Sequence, residues 1–286
     1  MTSDRTVVYR DLHSLEELRR VVELEKAVWR YTDAEDVVPV PILAINVKRG
    51  GILIGAFDGE NRMVGFVYSL PGLKDGRVMQ WSHMLGVLDD YRNAGLGRTL
   101  KLLQRERALG MGVQVIEWTF DPMQAMNAHL NLAKLGAIIE EYEENIYGES
   151  SSALHRGTPT DRFVAVWTLE SARVVERIAT ASPADAWPAD VQPMEALPSA
   201  NATREAKGWL TCASIDLEVE APRVRVEIPM GFGDLQVAAP DVARDWRVAS
   251  RRIFTSYLLR GYRILEFTLD RPHALGWYVL DRAGSV

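Results

Sequence analysis

Residues 87–100, VLDDYRNAGLGRTL, set two glycines two positions apart at the start of a stretch with helical patterning. A turn of this kind points successive backbone N–H groups at an anion, and the helix dipole adds about half a positive charge at the same place. Arg92 and Arg98 flank the turn and can add whole charges. The turn alone names no ligand, so the residues around it must decide.

Upstream, residues 77–88 read as a strand leading straight into the turn. Residues 51–57 and 62–70 are β-rich runs on either side of Asp58-Gly59-Glu60-Asn61, a hairpin. Before them come a short strand over residues 6–10 and a helix opened by the capping box Ser14-Leu15-Glu16-Glu17. Leu15, Leu18, Val22 and Val28 recur along it at helical spacing as far as Trp29. A second helix starts at Pro39 or Pro41 and runs to Val47. Downstream, residues 97–109 are helical, with Leu100, Leu103 and Ala108 on the apolar side, and Gly110 stops them. A strand over 113–120, a helix over 124–135 ended by Gly136, and strands over 137–145 and 162–169 follow. This order predicts a mixed α/β (α+β) fold with a largely antiparallel sheet flanked by helices, not a doubly wound one.

Two common phosphate-binding readings fail on composition. Gly95 and Gly97 are followed by Leu100 where a dinucleotide fingerprint needs its third glycine, and no Gly-x-x-x-x-Gly-Lys-Ser/Thr run exists. What remains is Arg92-Asn93-Ala94-Gly95-Leu96-Gly97 between a strand and a helix, after a hairpin. On that motif and element order the chain resembles the GCN5-related N-acetyltransferase (GNAT) superfamily over about residues 6–169.

The resemblance implies acetyl-coenzyme A or another acyl-coenzyme A as co-substrate, with no metal. The cofactor would lie in a gap between residues 84–87 and residues 116–119. An N–H at Leu85, Gly86 or Val87 would face the thioester oxygen. The diphosphate would sit on the N–H groups of Arg92, Asn93, Ala94, Gly95, Leu96, Gly97 and Arg98, and Asn127 or Asn131 would bond the cofactor. Direct attack by an amine needs a proton acceptor, often a carboxylate on the strand before the loop. Here period-two alternation instead sets Trp81 and His83 beside Leu85 and Val87, which makes His83 a candidate base. A half-buried strand histidine satisfied by a neighbour is the plainer alternative. Glu117 is a second candidate, unless it faces solvent. Residues 125–137, AMNAHLNLAKLGA, keep Ala128, Lys134, Leu135 and Gly136 of the relatives' pattern, but put Leu132 at the tyrosine that protonates the thiolate and Ala137 at a phenylalanine. Tyr142 or Tyr147 could supply that hydroxyl from another element, and Tyr147 is taken as the candidate. The acceptor pocket is expected near Trp29, Tyr31 and residues 147–162, which hold His155, Arg156, Asp161 and Arg162; the two arginines would suit a carboxylate on the acceptor or acyl group, or simply face solvent.

The remaining features bound the function. A net charge of −6 gives no long-range pull towards nucleic acid or membranes. The single cysteine, Cys212, rules out an intrachain disulfide and fits a cytoplasmic protein; no apolar run is long enough for a membrane span, and no targeting segment is evident. The five histidines show no ligand spacing, so no metal is expected. Residues 1–170 are read as the acyl-coenzyme A-binding catalytic domain. Residues 171–208, with Pro183, Pro188, Pro193 and Pro198, are read as a linker with at most short helices. Residues 209–286 are read as a smaller α+β domain with strands near 212–220, 223–228, 262–270 and 276–281 and a helix over about 240–260. IEWTFD at 116–121 and LEFTLD at 265–270 each follow a helix and a glycine. This is either a degenerate half-repeat or the common demand of a helix packing back on a sheet. The leading expectation is an N-acyltransferase that moves an acetyl or short acyl group, such as succinyl, to a small amine or amino acid. A non-catalytic acyl-coenzyme A-binding regulator and a protein acetyltransferase are the alternatives, and the further partner considered is a second copy in a homodimer.

Overall fold

The computed structural model describes residues 6–31, 33–148, 158–180, 194–206 and 208–282. They form two compact units, divided after Trp118.

The first unit contains β1 (Val8–Asp11), α1 (Leu15–Trp29), α2 (Val40–Lys48), β2 (Ile52–Phe57), β3 (Met63–Lys74), β4 (Arg77–Val87), α3 (Leu96–Gly110) and the start of β5 (Val115–Phe120). Its sheet runs β1-β2-β3-β4-β5, antiparallel except that β5 is parallel to β4. The capping box forms as expected: the Glu17 N–H donates to Ser14 Oγ at 3.2 Å, and Glu17 Oε2 accepts the Ser14 N–H at 3.1 Å. One face of the sheet is covered by α1 and α2, whose Leu18, Val21, Leu24 and Leu43 pack with Phe57, Phe66, Tyr68 and Met84. The other is covered by α3, and a Cβ on Gly65 would lie 3.4 Å from Leu100. The element order read from the sequence is the order observed, with β3 extended to Lys74.

One departure changes the geometry of β4. Tyr68 of β3 pairs with Met84 but Ser69 pairs with Ser82, so His83 is an extra residue, a β-bulge without a partner on β3. The slip breaks the alternation expected to put Trp81, His83, Leu85 and Val87 on one face. Ser82 points to Gln104 of α3, whereas a Cβ on Gly86 would point at Trp29 of α1 and Phe66. Even-numbered residues thus change face across the bulge, and Trp81 and Val87 lie on opposite sides.

The second unit contains the end of β5, a single turn α4 (Ala125–Ala128) that widens into a π-helix (His129–Lys134), β6 (Ile138–Glu143), β7 (Arg162–Thr168), α5 (Ala172–Ala179), β8 (Asn201–Ala206), β9 (Trp209–Ile215), β10 (Arg223–Pro229), α6 (Phe232–Ala238), α7 (Pro240–Leu259), β11 (Tyr262–Asp270) and β12 (Leu275–Arg282). Its strands are ordered β7-β6-β11-β12-β10, with β8-β9 a separate pair. Edge-to-face aromatics fill the core: Phe163 and Phe254 at 4.7 Å, Phe254 and Tyr278 at 5.3 Å, Phe267 and Tyr278 at 4.6 Å. Beside them the Asp121 carboxylate takes both terminal nitrogens of Arg247, with neither side chain more than 9% exposed.

Here the sequence reading needs corrections. The expected linker carries the short helix α5, which that reading allowed, and also the strand β8, which it did not. β8 ladders with β9, and polar side chains rather than an apolar stripe tie it to β10: the Asn201 amide donates to the Glu227 carbonyl and accepts its N–H, and Thr203 donates to the Glu227 carboxylate. The helix over 124–135 is mostly π, with the Leu135 N–H reaching back to Leu130 at 3.0 Å. The α7–Gly261–β11 echo forms, but β10 pairs with β12 and not with β11, so it lacks the adjacent parallel strands that flank α3. Among the described residues no helix is long and apolar enough to cross a membrane, and no cluster of histidines, cysteines and acids is placed to hold a metal.

Candidate functional site

The site in the first unit is made by a failure of pairing. β4 and β5 bond only at Gln80 with Ile116 and Trp81 with Glu117, and then diverge. β4 stays laddered to β3 as far as Val87, so from residue 82 onward its other edge is turned to the fork. Main-chain groups left in such a gap need an external partner.

The loop that follows β4 supplies a second set of open groups. A 3₁₀ turn (Asp89–Tyr91) is followed by extended Arg92, by Asn93 at φ +61° and by Gly95 at φ +83°, the N-cap of α3. Gly95 has no side chain to cap the helix, and the first turn holds no acid to compete for its N–H groups. Leu96 anchors the turn in the core while Arg92, Asn93, Ala94 and Gly95 are exposed and Gly97 and Arg98 half-buried. Arg92 lies folded on the rim: its Nη2 is 2.9 Å from Asp89 and its Nε donates to the Val87 carbonyl at 3.3 Å. Asp89 also receives Arg30 at 3.2 Å.

On the α1 side of the fork His83 presents its ring edge-on to Tyr68, with centroids 6.1 Å apart. Neither ring nitrogen is hydrogen-bonded among the described residues. Although the side chain keeps an exposed edge, surrounding protein desolvates the ring and lowers its pKa from 6.5. Glu117 does not face solvent: it is buried, and its Oε1 accepts Lys74 Nζ at 2.6 Å. Trp29 stacks parallel to Tyr31 at 6.2 Å and closes over Gly86, where a Cβ would meet its ring at 3.1 Å. Leu85 and Val87 are half-buried and Gly86 buried along the open edge.

The other expected residues belong to the second unit. The Tyr147 hydroxyl is 2.7 Å from Thr119 Oγ1, and the Arg162 guanidinium lies 5.5 Å over its ring. Tyr142 donates to the fully buried Asp161 at 2.7 Å; burial, then that carboxylate, raises its pKa and keeps it protonated. Arg251 also pairs with Asp161, at 2.6 Å. Asn127 is exposed, whereas Asn131 and Leu132 are buried within the π segment. His155 and Arg156 lie outside the described residues.

Sequence reasoning missed Glu25. It is fully buried on α1; Oε1 accepts the Val38 N–H at 2.9 Å, and Oε2 has no hydrogen-bond partner. Desolvation pushes its pKa up to about 7, against the Val38 bond and Lys26, and the carboxyl acts in turn on Tyr68. The available signal was an acid one turn from both Val21 and Trp29 on the buried stripe of the helix.

No family model and no curated protein matches the chain. Among solved structures it is similar to the ribosomal-protein-S18-alanine N-acetyltransferase of Escherichia coli, with 16% identity, 58% of this chain and 96% of that one covered, and a TM-score of 0.46. It is similar to the GNAT-family acetyltransferase of Streptococcus pneumoniae, with 18% identity, 56% and 98% covered, and a TM-score of 0.46. It also resembles a GCN5-related glucosamine N-acetyltransferase region of a fungal multi-domain GH3 β-N-acetylglucosaminidase, with 18% identity and a TM-score of 0.35; that match covers 41% of this chain and spans only 14% of the fungal protein.

Proposed function

We propose that this chain is an acyl-coenzyme A-dependent N-acyltransferase, moving an acetyl or short acyl group such as succinyl to a small amine or amino acid. The observation that carries the reading is the fork: a strand edge left open from residue 82 to Val87 runs into an uncapped, acid-free helix N-terminus. The N–H groups over Arg92 to Arg98 would hold the diphosphate. The open edge of β4 would pair with the pantetheine amides, and an N–H at Leu85, Gly86 or Val87 would receive the charge developing on the thioester oxygen, an interaction worth about 3 kcal/mol.

The amine attacks the thioester carbon only when unprotonated. His83, desolvated and neutral at pH 7, is suited to take the ammonium proton; Glu117, already paired with Lys74, is the less available of the two candidates. As the C–N bond forms, the C–S bond breaks and coenzyme A leaves as a thiolate, a fair leaving group at neutral pH. Tyr147 is the hydroxyl assigned to reprotonate it. Residues 1–170 would be the catalytic part of the chain and residues 209–286 an addition to it.

Calorimetry of the full chain with acetyl- and succinyl-coenzyme A tests the donor, and thiol release with a panel of amines tests the chemistry. The expected result is binding and turnover, with His83→Ala lowering turnover about 100-fold and leaving donor affinity unchanged. No binding at millimolar donor would refute the reading. Binding without turnover on any amine would favour a non-catalytic acyl-coenzyme A-binding protein. The buried Leu132, an apolar side chain where relatives are expected to carry a tyrosine acid, is the observation on that side.

A further inference from the structure

Lys101 is 2% exposed on the sheet-facing stripe of α3, in line with Leu100, Gln104 and Ala108. A leucine or methionine would pack there without desolvating an amine, so the lysine calls for an explanation. Its contacts coincide with the point where the strands part. Trp81 and Glu117 are the last paired residues. Ser82 and Trp118 are the next residue on each strand, and Lys101 touches both: Nζ donates to Ser82 Oγ at 3.1 Å and lies 3.7 Å from the Trp118 ring centroid. It also donates to Gln104 Oε1 at 2.8 Å, and the Gln104 amide donates to Ser82 Oγ at 3.0 Å. A buried polar knot therefore sits in the angle of the fork, anchored on α3 and gripping one strand by a hydroxyl and the other by an indole face.

We infer that Lys101 is the wedge that holds β4 and β5 apart, and that it thereby positions the pantetheine arm of acyl-coenzyme A; the second clause rests on the function proposed above. Continuous parallel pairing needs strands about 4.8 Å apart, and it would satisfy the main-chain groups that the fork leaves open. The side chains of Ser82 and Trp118 are instead committed to a common partner on the helix. Burial of the amine holds the Lys101 pKa well below 10.5. Lys101 is in this view a positioning residue that meets neither thioester nor acceptor.

The test compares wild type with Lys101→Met in the full chain. Amide hydrogen exchange comes first, because it needs no ligand. With the wedge gone, pairing should extend, and peptides covering 82–87 and 116–120 should exchange at least about tenfold more slowly. Calorimetry follows with acetyl-coenzyme A and with ADP, which carries a diphosphate and no pantetheine. The variant should lose at least about tenfold in affinity for acetyl-coenzyme A and keep its affinity for ADP, with Tm unchanged or raised. Ser82→Ala, which leaves the lysine in place, should reproduce the selective loss more weakly and decides the matter if the methionine variant does not fold. Unchanged exchange at both peptides, or faster exchange throughout α3 with equal loss of both ligands, would overturn the wedge. A wild type that binds neither ligand would sink the proposed function, while the exchange result still decides whether Lys101 parts the strands.

Discussion

Replacing Glu25 with glutamine should make the protein more stable, and only above a certain pH. The carboxyl has a pKa near 4.5 when the chain is unfolded and about 7 when folded, because burial leaves Oε2 without a partner. Below pH 4 it is protonated in both states. As pH rises from 4.5, the unfolded chain releases the proton first, so the folded state holds more protons and stability falls until pH passes 7. At 1.36 kcal/mol per unit the ionised form costs about 3 kcal/mol above pH 8. Glutamine keeps an acceptor for the Val38 N–H and removes the charge, at a cost of about 1 kcal/mol for an amide donor left unbonded. The net gain above pH 8 is then about 2 kcal/mol, or about 4–8 °C in Tm. Scanning calorimetry of both proteins from pH 4 to 9 should show the glutamine variant about 1 kcal/mol less stable at the acid end, curves that cross between pH 4.5 and 7, and a constant advantage for the variant of about 2 kcal/mol above that. A gap of constant size across that range would refute the burial argument.

Two further perturbations address the loop and the second unit. Gly95 sits at φ +83° with nothing within 4 Å of where a Cβ would stand, so Gly95→Ala meets backbone strain alone, about 1 kcal/mol. Tm should drop by a few degrees while acetyl-coenzyme A affinity falls about tenfold, and unchanged affinity would exclude the N–H cradle. Asp121→Asn leaves Arg247 buried without its carboxylate and should cost about 3–5 kcal/mol in urea unfolding. Adding Arg247→Met should restore most of that, and a double variant no more stable than the single one would show that the pair is not the cause.

Features set by neighbouring residues were legible in the sequence. Ser14 and Glu17 cap α1 three positions apart, the hairpin turns on Asp58, and the Arg92 to Gly97 loop opens a helix, so the element order of the first unit followed from local pattern. What escaped depends on partners far away in the chain. The bulge at His83 exists only relative to Tyr68 and Ser69, and without it alternation assigns Trp81 and Val87 to the same face. Glu117 reads as either a candidate base or a solvent-facing residue until Lys74, 43 positions earlier, is found on its carboxylate. Asn201 and Thr203 look like linker because Glu227, the residue their side chains hold, lies 26 and 24 positions later. Lys101 and Glu25 look like solvent-facing charges because a helical pattern cannot say that its apolar stripe has admitted one.

The bulge also separates two kinds of selection. Met84, the next residue along β4, answers both to Tyr68 opposite it and to the helices packed on that face, so changing it disturbs the sheet. His83 has no register partner on β3 and touches Tyr68 through its ring, while the ladder closes on either side of it through Ser82 and Met84. Residue identity at this one position can therefore drift while the register survives, so the role proposed for His83 could be retuned, or lost, without unfolding the strand that carries it.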